Sequence, residues 1–175
     1  MKKLNCILFT LLVSVSINTS AQSNTYASKV KTLDSTIKTL YAVISGEKGE
    51  ARDWELFNYL FAPEAKLIPT GTNKEGVHVA RFMSPQEYIN TSGEWLVDNG
   101  FFEKEVARSV HKLGNIAQVF TTYEAYNHLG KTTPFMTGIN SIQMLYDNNR
   151  WWIINVYWQQ ASKQNPIPDA FKADK

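Results

Sequence analysis

Residues 100–127 read GFFEKEVARSVHKLGNIAQVFTTYEAYN, and this stretch decides the fold. Before Gly100 apolar residues recur at helical spacing; after it the period is two. Phe102 to Leu113 forms one long strand, Gly114-Asn115 its turn, and Ile116 to Asn127 the next strand. Downstream, Ile139 to Tyr146 and Trp151 to Gln160 form a hairpin around Asp147-Asn148-Asn149-Arg150. In the last strand, strict alternation puts Trp152, Ile154, Val156 and Trp158 on one face. Trp151, Ile153, Asn155 and Tyr157 take the other. Both faces are mostly apolar, so both are expected to be covered.

Upstream, Val30, Leu33, Ile37, Leu40, Tyr41 and Ile44 mark a helix with one buried face, broken by Ser45-Gly46. Trp54, Phe57, Leu60 and Phe61 mark a second, capped by Asp53 and ended by Pro63. Ala65–Pro69 and Val77–Phe82 read as short strands around the turn-rich Gly71–Gly76. Ser84 then caps a third helix, with Pro85 at its first position and Glu87 completing a capping box; Asn99-Gly100 closes it. Three helices interleaved with two short strands, then four longer antiparallel strands, make an α+β layer architecture with the helices on one face of a curved sheet.

The N-terminus reads as a secretory signal: Lys2-Lys3, an apolar run from Ile7 to Ile17, then Thr19-Ser20-Ala21, with cleavage expected after Ala21. The run is too short to span a bilayer. Cys6 lies inside it, so the mature protein would hold no cysteine and hence no disulfide. The expected organisation is a signal over 1–21, a flexible polar leader over 22–28, one domain over 29–168 and a tail over 169–175. The location would be periplasmic or secreted. Taking 21 from 175 residues leaves 154, and losing Lys2 and Lys3 cuts the 18 basic residues to 16, equal to the 16 acidic ones. That balance argues against nucleic acid and against an anionic membrane surface.

Several segments are similar to an exported bacterial subgroup of the nuclear transport factor 2-like superfamily. They are Gly100-Phe101-Phe102-Glu103, Gly114-Asn115-Ile116-Ala117, Val119-Phe120-Thr121-Thr122-Tyr123-Glu124, Gly138-Ile139-Asn140-Ser141-Ile142-Gln143, Arg150-Trp151-Trp152-Ile153 and Asn165-Pro166-Ile167-Pro168. The resemblance implies a cone-shaped curved antiparallel sheet, three N-terminal helices packed on its concave face, and a pocket between the layers. It also implies a twofold homodimer through the outer sheet face. It does not fix an activity, because the superfamily includes isomerases, dehydratases, epoxide hydrolases and polyketide cyclases beside modules without catalysis.

Laid on the isomerase pattern, the base position falls on Pro69 and the neutral-acid position on Ile142 or a neighbour, where Asn140 to Met144 holds no carboxylate. Arg81, Arg108, Glu105 and Glu124 could form a hydrolase-type carboxylate–arginine set, but cross-strand ion pairing accounts for them more simply. His78, His111 and His128 stand apart from any acid at dyad or ligand spacing. No metal, phosphate-loop or nucleophile-elbow signature is present, and no cofactor is expected. The leading expectation is a dimer that binds an apolar small molecule through Trp54, His78, Arg81, Glu124 and Trp158, without catalysis. The alternatives are an enzyme using Glu124 or His78 as the acid–base group with Arg81 or Arg108 as the anion stabiliser, and a protein-interaction module with a filled cone.

Overall fold

The computed structural model describes residues 25–172; the expected signal segment lies outside them. The three helices are α1 (Leu33–Ile44), α2 (Trp54–Leu60) and α3 (Pro85–Asn99). Each starts on a capping side chain. Thr32 and Ser35 form a reciprocal box at α1, with bonds of 3.0 and 3.1 Å. Asp53 accepts the Leu56 amide at 2.8 Å at α2. Ser84 and Glu87 close the box at α3, with Pro85 beside them, so the orphan amides of the first turns are satisfied as the residue types foretold.

The strands are β1 (Phe61–Thr72), β2 (His78–Ala80), β3 (Phe102–Leu113), β4 (Ile116–Tyr126), β5 (Met136–Asp147) and β6 (Arg150–Gln160). They form one sheet in the order β2-β1-β6-β5-β4-β3. The curved sheet is antiparallel as expected apart from one pairing: β1 runs parallel to β6. A parallel neighbour needs a long connection, and the whole of α3 to β5 separates these two strands. β1 also begins earlier than expected. Phe61 is already extended, so α2 ends before Pro63 rather than at it.

The helices lie on one sheet face, and the core sits between the layers around Ile37, Phe57, Leu60, Val119, Ile142 and Ile153, all without exposed surface. Arg52 locks the helix ends together. It is buried and donates to the carbonyls of Ile44 (3.1 Å), Gly46 (2.8 Å) and Leu96 (3.0 Å), which places a cation on the closing turn of α1. Gly46 is glycine because a Cβ there would collide with that guanidinium.

Two bulges decide which side chains face inward. In β3 the register slips between Glu105 and Ala107, so Val106 is extra; Glu105 then stands opposite Tyr123 and Arg108 opposite Thr121, both on the inner face. In β6 the register slips at Ile154, because Gln143 pairs Asn155 while Met144 pairs Ile153. Trp151, Ile153, Val156 and Trp158 therefore share the inner face. The strict alternation read from sequence fails at this bulge: Trp152 turns outward, where the Arg150 guanidinium stacks 3.5 Å from its ring centre.

Both ends of the described region pack onto the domain. The expected leader of residues 22–28 is structured where described. Tyr26 is buried, bonds the Asp53 carboxylate at 2.9 Å and packs on Tyr59. Of the expected tail, Asp169–Phe171 forms a 3-10 turn on the outer sheet face. Phe171 meets Phe120 at 4.8 Å between ring centres, and its carbonyl accepts the Thr122 hydroxyl. The chain itself thus covers part of the face expected to need a second subunit. No helix among the described residues is long and apolar enough to cross a membrane.

Candidate functional site

Between helices and sheet lies a cavity of about 210 Å³. Its walls are mostly apolar, aromatic and aliphatic side chains together. Tyr88 of α3 stacks on Phe57 of α2 at 5.4 Å and meets Trp158 of β6 edge-on at 6.4 Å. Tyr123 of β4 stands opposite Gly138 of β5, where any Cβ would collide with its phenol ring and with the Gln159 carbonyl. That glycine therefore lets the tyrosine lie across the sheet. Trp95 also lines the cavity yet is 48% exposed, which marks the side where the cavity meets solvent.

One end of the cavity is polar, built from four elements. Glu103 of β3 is opposite Ala125 and so shares the inner face with Val119, Thr121 and Tyr123. Asn140 of β5 donates through Nδ2 to Glu103 Oε1 at 3.2 Å and to the Tyr41 hydroxyl at 3.0 Å. Tyr41 of α1 in turn bonds the Thr121 hydroxyl of β4 at 2.6 Å. Glu103 is half-buried and lines the cavity. Burial of its carboxyl pushes its pKa up to about 7, opposed only by the Asn140 bond. The phenols of Tyr41, Tyr88 and Tyr123 are held above their usual range, first by burial and then by the negative charge on Glu103. The result is an apolar, aromatic chamber with one titratable carboxyl poised near neutrality. Such a group can bond a ligand in either protonation state and can give or take a proton.

Of the five residues expected to contact a ligand, Trp158 lines this cavity and the others stand elsewhere. Trp54 packs edge-on to Phe57 and against Gly93. His78 is exposed on the edge strand and bonds Thr72 at 3.2 Å. Arg81 is exposed near the start of α3, where the Glu87 carboxyl, held below its usual range first by its bonds to Ser84, also feels the arginine's charge. Glu124 is on the outer face, opposite Lys104, and accepts the Tyr126 hydroxyl. Of the expected arginine–carboxylate set, Arg108 and Glu105 do pair, with Asp34 of α1 as the third member, which fastens α1 to β3, while Arg81 and Glu124 stand apart from them. Of the other histidines, His111 bonds Ser109 at 3.3 Å and His128 sits 3.8 Å from Glu47, both at the surface.

Sequence reasoning passed over Glu103 and Asn140. The signal for each was alternation: Glu103 is two residues from Phe101, and Asn140 is two from Ile142, so each falls on an apolar inner face. A lone polar residue at such a position is the informative exception. Among the described residues no group of three or more His, Cys, Asp or Glu could hold a metal ion.

No protein-family model and no curated protein matches the sequence. Solved structures do. A protein of unknown function with a cystatin-like fold from Nostoc punctiforme is 10% identical and superposes with a TM-score of 0.53 over 86% of this chain and 97% of its own. A nuclear transport factor 2-like superfamily protein from Salmonella enterica is 19% identical, with a TM-score of 0.52 over 84% of this chain and 95% of its own. A nuclear transport factor 2-like protein of unknown function from Silicibacter pomeroyi is 16% identical, with a TM-score of 0.50 over 81% and 98%. At these identities the likeness establishes the fold: a nuclear transport factor 2-like, α+β cone.

Proposed function

We propose that this protein binds an apolar small molecule in the cavity, with the Glu103 carboxyl and the Asn140 amide as its polar anchor. The observation that carries the reading is a carboxyl lining a mostly apolar chamber of about 210 Å³. A pocket of that kind, apolar with a few convergent polar groups, is the usual form of a small-molecule site. A filled cone would have left no such space. The N-terminal signal pattern supports action outside the cytoplasm. A homodimer would use the outer face that Phe171 leaves open, where Leu113, Ile116, Leu145 and Trp152 stand in register across four strands.

The test is a fragment screen by ligand-observed NMR on the protein, on Glu103→Gln and on Trp158→Ala. Ring fragments bearing one polar group are expected to bind the wild type and to weaken about tenfold or more in either variant, one good hydrogen bond to a charged or polar anchor being worth that much. Binding unchanged in both variants, or no binding at all, overturns the proposal.

A second reading rests on the same carboxyl. A pKa near 7 suits a general acid or base, which would make the protein an enzyme of the cyclase, dehydratase or hydrolase kind. Turnover of a bound fragment that Glu103→Gln abolishes while affinity persists would establish this reading. Affinity lost with no turnover in the wild type would leave the binding module.

A further inference from the structure

Glu103 differs in its company from the ion-paired acids among the described residues. Asp34 has Lys38 and Arg108, Glu105 has Arg108, and Asp169 has Lys172. Glu87 feels Lys66 and Arg81, and Glu124 stands opposite Lys104. Glu103, the most enclosed of them, has no cation: its surroundings offer one amide, from Asn140. The titratable groups facing it across the cavity are Tyr41 from α1, Tyr88 from α3 and Tyr123 from β4, and the next acid along β3 is Glu105, itself tied to Arg108. Lys, Arg and His are absent from the cavity wall among the described residues.

Every titratable group in the chamber is therefore an acid. An anionic ligand would meet only groups that repel it or that would have to stay protonated. A cation would meet a carboxylate lacking a counter-ion and the rings of Tyr88, Tyr123 and Trp158, aromatic quadrupoles of the kind that attract positive charge, most strongly where water is excluded. Asn140 adds an amide that orients the carboxyl, since it is also fixed by Tyr41. We infer that the ligand of this cavity is a small apolar amine, bound as its cation with the nitrogen on Glu103 and its hydrocarbon part against the aromatic wall. This inference rests on the small-molecule reading above and adds the ligand's charge.

Linkage then fixes the sign of the pH dependence. The amine needs Glu103 ionised, so each binding event expels the proton that the empty site holds, and affinity rises with pH through the range near 7 in which the free carboxyl titrates. From pH 6 to pH 8 the gain is about tenfold for a group titrating near 7. A neutral ligand that accepts a hydrogen bond from the protonated carboxyl gives the opposite slope.

Three probes of one shape decide it: benzylamine, benzyl alcohol and benzoate, titrated calorimetrically at pH 6 and pH 8 into the wild type and into Glu103→Gln. Two buffers of different ionisation enthalpy count the released protons. The expected result is that benzylamine binds at least tenfold more tightly than benzyl alcohol at pH 8, strengthens from pH 6 to pH 8 and releases protons on binding. Benzoate should be weakest. Glu103→Gln should remove the amine preference over the alcohol, and an unchanged near-UV circular dichroism spectrum shows that the aromatic pocket is still formed. Benzyl alcohol binding as tightly as the amine, or amine binding that weakens with rising pH, overturns the cation inference while the small-molecule reading stands. Failure of all three probes overturns the inference too, and the fragment screen then judges the small-molecule reading by itself.

Discussion

Glu103 and Glu124 sit on one two-stranded ribbon, on neighbouring rungs, and face opposite ways. Glu103 is opposite Ala125; Glu124 is opposite Lys104. The outer acid is satisfied by its surroundings. It accepts the Tyr126 hydroxyl, and the Lys104 ammonium across from it rests 5.0 Å above the Tyr126 ring. The inner acid has one amide and a cavity. A satisfied carboxylate at a sheet surface is worth little and binds nothing further, whereas an enclosed one with spare acceptors is unfinished until a proton or a ligand arrives. The same side chain is structural on one face and functional on the other, and one residue of strand phase decides which.

The comparison can be broken most forcefully through the sheet itself. Ile142 and Gln143 are adjacent on β5, the first with no exposed surface and the second exposed. Ile142→Ala should cost about 3 kcal/mol, from lost apolar burial and the cavity left behind. Gln143→Ala should cost less than about 0.5 kcal/mol. Urea unfolding at constant m reads both. Similar losses would mean that the outer face is covered as fully as the inner one, for instance by a second copy, and dilution would then lower the midpoint.

The faces explain what could be read in advance and what could not. Caps at Thr32, Asp53 and Ser84 are local chemistry, so the helix starts were legible. The hairpin turns were too: Gly114 and the pair Asn148-Asn149 have positive φ, which those residue types tolerate. Bulges carry no such mark. Val106 and Ile154 are β-branched residues that suit a regular strand and a bulged one equally, and each resets the phase of all that follows in its strand. That is why Trp152 and Trp158, placed together by alternation, end on opposite faces. The ends of the domain hid for another reason: Tyr26 and Phe171 are single aromatics in polar stretches, and nothing local says that each has a partner waiting, Asp53 and Phe120.

A second contrast, of intermediate size, uses pH. The folded state holds the Glu103 carboxyl up near 7, above the 4.5 of a free glutamate. A raised acid pKa means that the native state keeps a proton the unfolded chain has released. Below 4.5 both forms are protonated and the burial costs nothing extra. Between 4.5 and about 7 stability falls as pH rises, and above that the full penalty applies. Glu103→Gln removes the titration, so it should raise the melting temperature at pH 8 and change it little at pH 4. Water reaching the cavity moderates the size to about 1–2 kcal/mol. Glu124→Gln is the control, with no such pH-dependent gain expected. If Glu103→Gln instead destabilises the protein equally at both pH values, the inner carboxyl has an undetected cationic partner and the contrast between the two acids fails.

The finest contrast is between two asparagines on facing sides of the same two strands. Asn140 on β5 is buried and bonds Glu103 and Tyr41; Asn155 on β6 lies on the outer face and donates to Gln143 at 2.8 Å. In each case an asparagine Nδ2 is the donor, so much of the difference in their worth comes from what replaces them. When Asn155 becomes alanine, water bonds the stranded Gln143 amide, and the expected loss is about 0.5 kcal/mol or less. When Asn140 becomes alanine, the Tyr41 hydroxyl and the Glu103 carboxyl lose their shared donor in a place that bulk water does not fill, and the expected loss is about 1–2 kcal/mol. The second loss should also depend on pH. Asn140 is what lowers the Glu103 pKa, so its removal pushes that pKa further up, and the variant should lose most above neutrality. Denaturation of the two variants at pH 5 and pH 8 reads all four numbers. Equal losses at both asparagines would mean that water fills the cavity freely, and a freely hydrated Glu103 would lose its claim to be the anchor of an apolar ligand.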